Sequence, residues 1–365
     1  MILMNNFRAE PDEMRSAELA SVERVLRSGW YILGKEVEAF EAAWASVCDV
    51  PYAVGVANGM DAIEIGLRAL GIGGGDEVIT TPMTAFATVL AILGAGAVPV
   101  LADVDPRTGL LDVQSVRRCI TSRTKAVLLV HLYGQVRDLD IWRSFCADHG
   151  IALIEDCAQA HLARWQGKCA GSFGVFGAYS FYPTKNLGAL GDAGAIVSMN
   201  PDLCSQSKVI RNYGQSVRYQ HPVLGLNSRL DELQAAILTT RMKWLDGFTE
   251  RRRAIARKYF DGIVNESVTL LSNPVESENH VYHLFVLLSG DRDALADHLQ
   301  LRGVQTLAHY PVPVHHQPPC VNAQRDPQGL PHSERHALRC LSIPCHPQLS
   351  DEDVDMVIAA VNDFR

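Results

Sequence analysis

Residues 180–195 read SFYPTKNLGALGDAGA, and they place one lysine, Lys185, among aromatic residues, small residues and glycines. Two interpretations of this lysine are open. Most lysines are solvated residues of surface loops, and Lys185 fits that description. Alternatively, burial lowers the pKa of its amine, so that the neutral amine attacks a carbonyl compound as a nucleophile. The remainder of the chain has to decide between the two.

The segments around this stretch alternate between strand-like and helix-like patterns. Apolar runs typical of buried strands are YAVGVANG (52–59), DEVITTP (76–82), AVPVLADVD (97–105), TKAVLLVHLYG (124–134), IALIEDCAQA (151–160) and VFGAYSF (175–181). Helical patterns lie between most of these runs. Strands that are apolar on both faces and alternate with helices predict an α/β fold with a mostly parallel central sheet, flanked by helices on both sides.

Ligands of such sheets bind beyond the carboxyl ends of the strands. The residues to inspect are therefore those that follow each predicted strand: 58–59, the TTPMTAF loop (80–86), HLYG (131–134) and 156–159.

The pattern changes at about residue 246. FTERRRAIARKYFDGI (248–263) is typical of an amphipathic helix, VYHLFVLLS (281–289) of a strand, and DEDVDMVIAAVNDF (351–364) of a closing helix. A Pro/His-rich loop occupies residues 309–319. We expect a large domain over residues 1–245 and a smaller α+β domain over 246–365, since 365 residues fit about two domains.

Composition excludes several classes of protein. Hydrophobic residues make up 47% of the chain and charged residues 20%, which predicts a large buried core. The formal charge is −8 and there is no Lys/Arg-rich run, so we expect no nucleic-acid partner. A local site for an anionic ligand stays compatible with this charge.

The nine cysteines and the N-terminus predict a cytoplasmic protein. The cysteine count is odd and no C-x-x-C pair occurs, which argues against a disulfide framework and a structural zinc site. The first residues, MILMNNFRAEPDEMRS, lack a signal-peptide core. Residues 78–102 carry no charged side chain, but Pro82, Gly94, Gly96 and Pro99 interrupt them, so we expect no membrane span.

Asp156 ends one of the apolar strands. Taken alone, such a carboxylate is either an N-cap for the next element or a charge that meets a cationic partner. Lys185 follows after room for one turn and one more strand, so both side chains can face one pocket. A carboxylate and an isolated lysine in one pocket are typical of a pyridoxal 5′-phosphate (PLP) site. There the lysine forms a Schiff base and the acid keeps the pyridine nitrogen protonated.

At this point the sequence resembles the DegT/DnrJ/EryC1/StrS family of sugar aminotransferases. The matching segments are spread over nearly the whole chain: SGWYILGKEVEAFE, VANGMDAIEIGLRALGIGGGDEVI, HLYG, EDCAQAH, SFYPTKNLGALGDAG, RNYGQ, NSRLDELQAAIL and VYHLFV. The resemblance implies PLP fold type I, the aspartate aminotransferase-like fold. It also implies a PLP-dependent aminotransferase, working through the PLP and pyridoxamine phosphate (PMP) forms, that acts on nucleotide-linked keto-sugars.

The resemblance also implies roles for individual residues at the cofactor. Lys185 is the catalytic residue, which forms the Schiff base and moves the proton between the substrate carbon and C4′ of the cofactor. Asp156 pairs with the pyridine nitrogen, and Gln159 contacts the ring near its 3-hydroxyl. The remaining expected cofactor contacts are Phe86 on the other ring face, Gly59, Met60 and Ser180 at the phosphate, and Asn227 at the same phosphate from a second subunit.

The role of Asn227 makes the active site a shared property of a homodimer. From the residues alone, core packing explains Phe86 as well as stacking does, and ordinary turn hydrogen bonds explain Ser180 and Asn227. Many family members have threonine or serine where this chain has Met60, so only a backbone contact to the phosphate is expected there.

The loop AHYPVPVHHQP (308–318) resembles the branch of the family that aminates the sugar at C3. The expected substrate-binding residues are Tyr182, Arg218, Tyr219, His309, Tyr310 and His315. A loop that merely bridges two parts of the domain is the competing explanation. His315 and His316 also raise the possibility of a metal, but no acid or further histidine lies at ligand spacing in the sequence, so we expect no metal site.

We therefore expect an enzyme that transfers an amino group from L-glutamate to a nucleoside-diphosphate keto-sugar at C3, as a homodimer with shared active sites. Amination at C4 is the first alternative. A non-catalytic PLP-binding regulator is the second, and the presence of Lys185, Asp156 and Gln159 argues against it. The nucleotide base and the sugar configuration stay open.

Overall fold

The computed structural model describes residues 1–365. It contains eleven α-helices: α1 (Asp12–Ser28), α2 (Lys35–Val47), α3 (Gly59–Ala69), α4 (Phe86–Gly94), α5 (Val113–Cys119), α6 (Leu139–His149), α7 (Pro201–Ile210), α8 (Glu232–Gly262), α9 (Arg292–Leu301), α10 (Pro331–Arg339) and α11 (Asp351–Asn362). Short 3₁₀ turns connect several of them.

The strands fall into two larger sheets and one small hairpin. They are β1 (Tyr52–Val56), β2 (Glu77–Thr80), β3 (Val98–Leu101), β4 (Thr124–Val130), β5 (Ala152–Asp156), β6 (Arg164–Trp165), β7 (Lys168–Cys169), β8 (Phe176–Ser180), β9 (Gly194–Ser198), β10 (Val268–Leu270), β11 (Phe285–Ser289), β12 (Gln324–Arg325) and β13 (Cys340–Ile343).

The central sheet has eight strands in the order β1-β9-β8-β5-β4-β2-β3-β12. Its neighbours pair in parallel, except that β9 runs antiparallel to both β1 and β8. The predicted mostly parallel sheet is therefore confirmed. In such a sheet the carboxyl ends of the parallel strands form one common rim.

Both faces of the central sheet are buried, as the continuous apolar runs predict. In β4, Val127 and Leu129 contribute to one core cluster, whereas Ala126 and Leu128 contribute to another on the opposite face. This alternation follows from the two-residue period of a strand. Helices on both faces leave the rim of the sheet as the place where polar side chains can gather.

The C-terminal part forms a second, smaller sheet of antiparallel strands, β10-β11-β13, with its own apolar cluster. The first residues of the chain join this part, since the Ile2 amide donates to the Gly303 carbonyl at 2.7 Å. Helix α8 runs without interruption through residue 245. The domain boundary at that residue stays a prediction.

Residues 78–102 form β2, a loop, α4 and β3, in the order that the sequence predicts. None of the helices combines the length and the apolar character that crossing a bilayer requires. All nine cysteines are buried and unpaired.

Candidate active site

An open cleft lies at the rim of the central sheet and has a volume of about 740 Å³. Strand ends β1, β5 and β8 and the loop after residue 308 contribute to it. The lining residues are Asn58, Gly59, Met60, Ala87, Gln159, Ser180, Tyr182, Thr184, Lys185, Asp192, His283, His309 and Tyr310. Eight of the fourteen residues predicted to form the site are among them.

Lys185 lies in the turn that follows β8 and is partly exposed to the cleft. No hydrogen bond or ion pair within the chain involves its Nζ atom. Burial lowers the pKa of its amine to about 8, and the Asp156 carboxylate acts in the opposite direction. An amine with this pKa is partly neutral at physiological pH, as a nucleophile or proton-transfer base requires. The structure therefore favours the nucleophile over the solvated loop lysine.

Asp156 is the last residue of β5 and is 6% exposed. Its Oδ2 atom accepts a hydrogen bond from the Thr88 hydroxyl at 2.8 Å, and its Oδ1 atom accepts one from the Ala158 amide at 3.1 Å. The Thr88 hydroxyl also lies 2.7 Å from that of Thr84. These two donors hold the carboxylate in one orientation. The bond from Thr88 comes from a side chain of another element and is not part of a helix cap.

Gln159 is held by hydrogen bonds from both ends of its amide. Its Oε1 atom accepts from the Tyr133 amide at 2.6 Å, and its Nε2 atom donates to the Tyr310 hydroxyl oxygen at 3.2 Å. Burial raises the pKa of Tyr310 to about 12, so its phenol keeps its proton and can donate to a ligand. These bonds connect the rim of the sheet to the loop that carries His309.

The first turn of α3 offers a site for an anion. Asn58 caps the helix, with its Oδ1 atom accepting from the Asp61 amide at 2.8 Å. The amides of Gly59 and Met60 donate to no group of the chain, and the helix dipole favours a negative charge there. A Cβ atom on Gly59 would lie 2.6 Å from the Ser180 Cβ, so only glycine lets the helix start approach Ser180 this closely.

Two histidines at the cleft are neutral at physiological pH. Burial lowers the pKa of His309 to about 4 and that of His283 well below its usual value, and in both cases the nearby Lys185 acts in the same direction. The Nδ1 atom of His309 lies 2.8 Å from the Ser342 hydroxyl, and that of His283 lies 3.2 Å from the Asn186 side-chain oxygen. These rings can interact with a ligand as dipoles but not as cations.

A third histidine, His161, is fully buried beside the cleft. Its ring packs among Trp44, Tyr179 and Phe181, with ring centroids 5.4–5.6 Å apart. Burial lowers its pKa to about 3, with Lys185 acting in the same direction. The side chain is therefore a neutral member of the aromatic core under the lysine.

Several predicted residues lie outside the cleft of a single chain. Phe86, at the start of α4, packs against an apolar cluster that includes Val89 and Val314, so its stacking on the cofactor stays a prediction. Asn227 is exposed and pairs with Asn212 in an isolated bridge. Arg218 places its guanidinium 5.0 Å from the ring centre of Tyr219, and Tyr219 is 78% exposed.

His315 lies outside the cleft as well, and its surroundings correct one premise of the sequence analysis. Its side chain is fully buried, and its Nε2 atom lies 3.1 Å from the Glu334 carboxylate of α10. The spacing argument found no acid near His315 and His316. The structure supplies one, Glu334, which is 19 residues from His315 in the sequence, too far for a local pattern to show it.

Sequence reasoning also missed residues that contribute to the site. Thr88, which orients Asp156, lies on the apolar helix α4, where a threonine has no obvious partner. His283 and Asp192 line the cleft from segments that carry no strand-end signal. The predicted ligand-binding loop TTPMTAF (80–86) ends two residues before Thr88 and is the sequence signal that lies nearest to it.

Comparisons with known proteins agree with this geometry. The model of the DegT/DnrJ/EryC1/StrS aminotransferase family matches residues 12–362. The chain is 43% identical to "dTDP-3-amino-3,4,6-trideoxy-alpha-D-glucose transaminase" of Streptomyces venezuelae, over 98% of this chain and 95% of that one. It is 40% identical to "Pleiotropic regulatory protein" of Geobacillus stearothermophilus, over 97% and 95%.

Among solved structures, the chain is similar to DesV of S. venezuelae, which was determined in complex with a ketimine intermediate. The TM-score is 0.95 at 42% identity, and the match covers 100% of this chain and 97% of that one. PLP fold type I is thereby confirmed. The chain belongs to the DegT/DnrJ/EryC1/StrS aminotransferase family.

Proposed function

We propose that this aminotransferase binds PLP and transfers an amino group from L-glutamate to the C3 position of a nucleoside-diphosphate 3-oxo sugar. The observation that supports it most is that Lys185 and the α3 N-terminus line one cleft, with the Asp156 carboxylate close enough to Lys185 to act on its charge. These groups come from three separate strand ends, and a core-stabilising role explains neither the unbonded Lys185 amine nor the unbonded amides of Gly59 and Met60.

The residues of the cleft fit PLP. The amides of Gly59 and Met60, with the Ser180 hydroxyl, can donate hydrogen bonds to a phosphate at the positive end of α3. Asp156, fixed by Thr88, offers a carboxylate to a pyridine nitrogen, and the Lys185 amine is free to attack an aldehyde. PLP supplies an electron sink that stabilises negative charge on the carbon next to the bound amine.

In the reaction, Lys185 removes a proton from the carbon next to the bound amine and returns it. Its lowered pKa of about 8 suits both directions of transfer near neutral pH. Asp156 keeps a proton on the ring nitrogen through its negative charge. Gln159 holds the Tyr310 side chain in place by the hydrogen bond to its hydroxyl. The closed packing beneath Lys185, which includes His161, excludes water from one side of the amine.

The sugar nucleotide is expected to occupy the outer part of the cleft, beside Tyr182, His309 and Tyr310. Because both cleft histidines are neutral, they offer hydrogen bonds to sugar hydroxyls rather than ion pairs to the diphosphate. The C3 position rests on the resemblance of residues 308–318 to that branch and on the relative named a 3-amino-sugar transaminase. The glutamate donor rests on the family resemblance alone.

A diphosphate favours cationic partners, and Lys185 is the one lysine or arginine among the residues that line the cleft of a single chain. Arg218 is on an exposed loop, residues 212–229, together with Tyr213, Val217, Tyr219, Val223 and Leu224, all exposed apolar or aromatic side chains. Such a loop favours contact with another protein surface. We propose a homodimer in which this loop brings Arg218, Tyr219 and Asn227 to the partner's cleft.

The test is to incubate the purified enzyme with glutamate and a panel of dTDP- and UDP-linked 3-oxo and 4-oxo sugars. Mass spectrometry detects the amine and NMR locates it. An amine at C3 supports the proposal, and an amine at C4 replaces it with the first alternative. Borohydride reduction should fix a pyridoxyl group on the peptide that contains Lys185, and a label on another lysine overturns the catalytic assignment.

A non-catalytic regulator is the second candidate, which the relative named a pleiotropic regulatory protein favours. A sensor needs to bind PLP but needs no proton-transfer base in the cleft. Half-reaction kinetics separate the two functions. Conversion of the PLP absorbance to that of PMP on addition of an amino donor requires a working Lys185, and its absence with every donor tested supports the regulator.

The unpaired cysteines support the cytoplasm as the proposed location, because thiols stay reduced there.

A further inference from the structure

A second cluster of ligand-type side chains lies outside the cleft, where a 3₁₀ turn (Val314–His316) meets α10. The Nε2 atoms of His315 and His316 lie 3.1 and 3.8 Å from the same oxygen of Glu334. One potential ligand atom from each residue lies within 4.8 Å of the others. We propose that these three side chains bind a zinc ion.

The spacing of the three atoms matches a tetrahedral zinc site. With bonds of about 2.0–2.2 Å from zinc to nitrogen or oxygen, neighbouring ligand atoms lie about 3.3–3.6 Å apart. The His315–Glu334 distance of 3.1 Å is already close to this range. The side chains of His316 and Glu334 are 53% and 46% exposed, so small rotations can close the remaining gap.

The ligand set selects the ion. Two imidazoles and one carboxylate are typical zinc ligands, whereas calcium and magnesium prefer sites made of oxygen atoms. The exposed side of the cluster leaves space for a water molecule as the fourth ligand. No lysine or arginine forms an ion pair with Glu334, and the nearby Arg325 donates to the carbonyls of Val321 and Ala323 instead.

The backbone holds the ligands in place from both sides. Val314 and Leu330, which flank the cluster in sequence, pack into one apolar cluster, and the Val314 amide donates to the Pro82 carbonyl at 3.0 Å. On α10, the Ser333 amide donates to Asp103 at 2.8 Å. His315 itself has a buried Nδ1 atom without a partner, so Nε2 makes its one polar contact.

Another group of three such residues, His131, Glu155 and Cys157, is a weaker candidate for a metal. Its carboxylate already accepts hydrogen bonds from the amides of Gly171, Phe173 and Gly174, each at 2.8 Å. The His131 Nε2 atom also lies 2.8 Å from the Glu155 carboxylate, so these two groups already satisfy each other.

The zinc would join the loop that carries His309 and Tyr310 to α10. That helix already contacts the same loop through His336, whose Nε2 atom lies 2.9 Å from the Tyr133 hydroxyl, and this hydroxyl donates to the His309 carbonyl. The zinc would therefore stabilise the loop that forms one wall of the cleft, and it would take no part in the reaction there.

The experiment counts zinc on the full-length protein with its cofactor. After chelator treatment and dialysis against buffered Zn²⁺, elemental analysis should find one zinc per chain, and X-ray absorption should show two imidazole ligands. Glu334→Gln and His316→Ala should weaken binding at least about tenfold. His332→Ala is the matched control, because His332 is an exposed histidine on the same helix that makes no side-chain hydrogen bond.

Thermal melts without zinc check that the variants fold. His316→Ala is the decisive variant if Glu334→Gln is unstable, because the exposed His316 side chain contributes little to the core. Zinc should raise the melting temperature of the wild-type protein and of His332→Ala only. Absence of bound zinc in the wild type, or equal binding by His316→Ala, overturns the proposal.

Discussion

The rim of the central sheet and the loop of residues 212–229 present polar side chains in different ways. At the rim, Asp156 and Ser180 are the last residues of two parallel strands. Ser180 lines the cleft with Lys185, and the Asp156 carboxylate acts on the Lys185 amine from beside it. On the loop, Arg218 and Tyr219 contact each other and solvent. Hydrogen bonds between strands fix the direction of a rim residue, whereas a loop residue acquires a fixed partner only from another surface.

This comparison predicts that the rim residues perform the chemistry and that the loop residues complete the site from a second chain. The largest effect is expected at Lys185. Lys185→Ala should lower kcat by about 10⁴-fold, because it removes both the nucleophile and the proton-transfer base. Steady-state assays with the sugar nucleotide measure this loss.

Lys168→Ala is the control for that experiment, since Lys168 is an exposed lysine of the hairpin strand β7. It should keep full activity. Retention of PLP by Lys185→Ala, measured by absorbance, shows that the phosphate site is intact. More than a few per cent of wild-type turnover in Lys185→Ala would contradict the prediction that this rim residue performs the chemistry.

The next effect concerns Asp156 and the threonine that orients it. Asp156→Asn should lower kcat at least about 10²-fold, because the neutral amide no longer keeps the ring nitrogen protonated. Thr88→Val removes one hydrogen bond to the carboxylate and should cost about tenfold, the scale of a lost bond to a charged group. Thr84→Val, one hydrogen bond further away, is the matched control and should cost less.

The test is whether kcat falls most in Asp156→Asn, less in Thr88→Val and least in Thr84→Val. If Thr84→Val and Thr88→Val reduce kcat equally, the threonines act through the packing of α4 and not through Asp156. Thermal melts of both variants separate the two causes.

The fold was largely predictable from the sequence, because continuous apolar strands alternate with helices. β4 shows why: its successive side chains enter two different cores, and only a sheet covered on both faces accommodates that pattern. The reversed direction of β9 was not predictable from its composition. It depends on which neighbours the strand finds after the chain has turned at Lys185.

The candidate site was predictable only where residues follow strand ends. Asp156, Gln159, Gly59 and Ser180 lie in or beside one cleft as expected. Thr88 and Glu334 could not be found, because each acquires its role from a residue far away in sequence. A single sequence carries no record of such contacts.

The third prediction concerns the loop. If Asn227 reaches the phosphate of the partner's cofactor, then Asn227→Ala should be inactive or nearly so. Mixing it with Lys185→Ala under conditions of subunit exchange should restore about a quarter of wild-type activity, since half of the dimers are mixed and each has one intact site. Mass spectrometry of differently tagged subunits checks the exchange.

No recovery in mixtures with proven exchange would assign each active site to one chain. Activity of Asn227→Ala equal to that of the wild type would leave the loop without a role in the cofactor site. Val264→Ala, on an exposed residue outside both regions, is the control in place of Asn227→Ala. It should show full activity by itself, and about half of wild-type activity when mixed with Lys185→Ala, since half of all sites then keep Lys185.

The smallest expected effect is a shift in pH dependence, and it tests the environment of Lys185 directly. Burial lowers the pKa of its amine to about 8, while the Asp156 carboxylate favours the ammonium form. In the chain without cofactor, the fraction of neutral amine therefore increases as the pH rises through about 8.

The rate of PLP capture, measured by stopped-flow absorbance relative to a simple alkylamine, should rise over the same interval and then level off. Asp156→Asn removes the charge that favours the ammonium, so its midpoint should move to lower pH, whereas Tyr182→Phe changes no charge near neutral pH and should keep the wild-type midpoint. A midpoint near the value of about 10.4 for a solvated lysine would restore the first interpretation of residue 185.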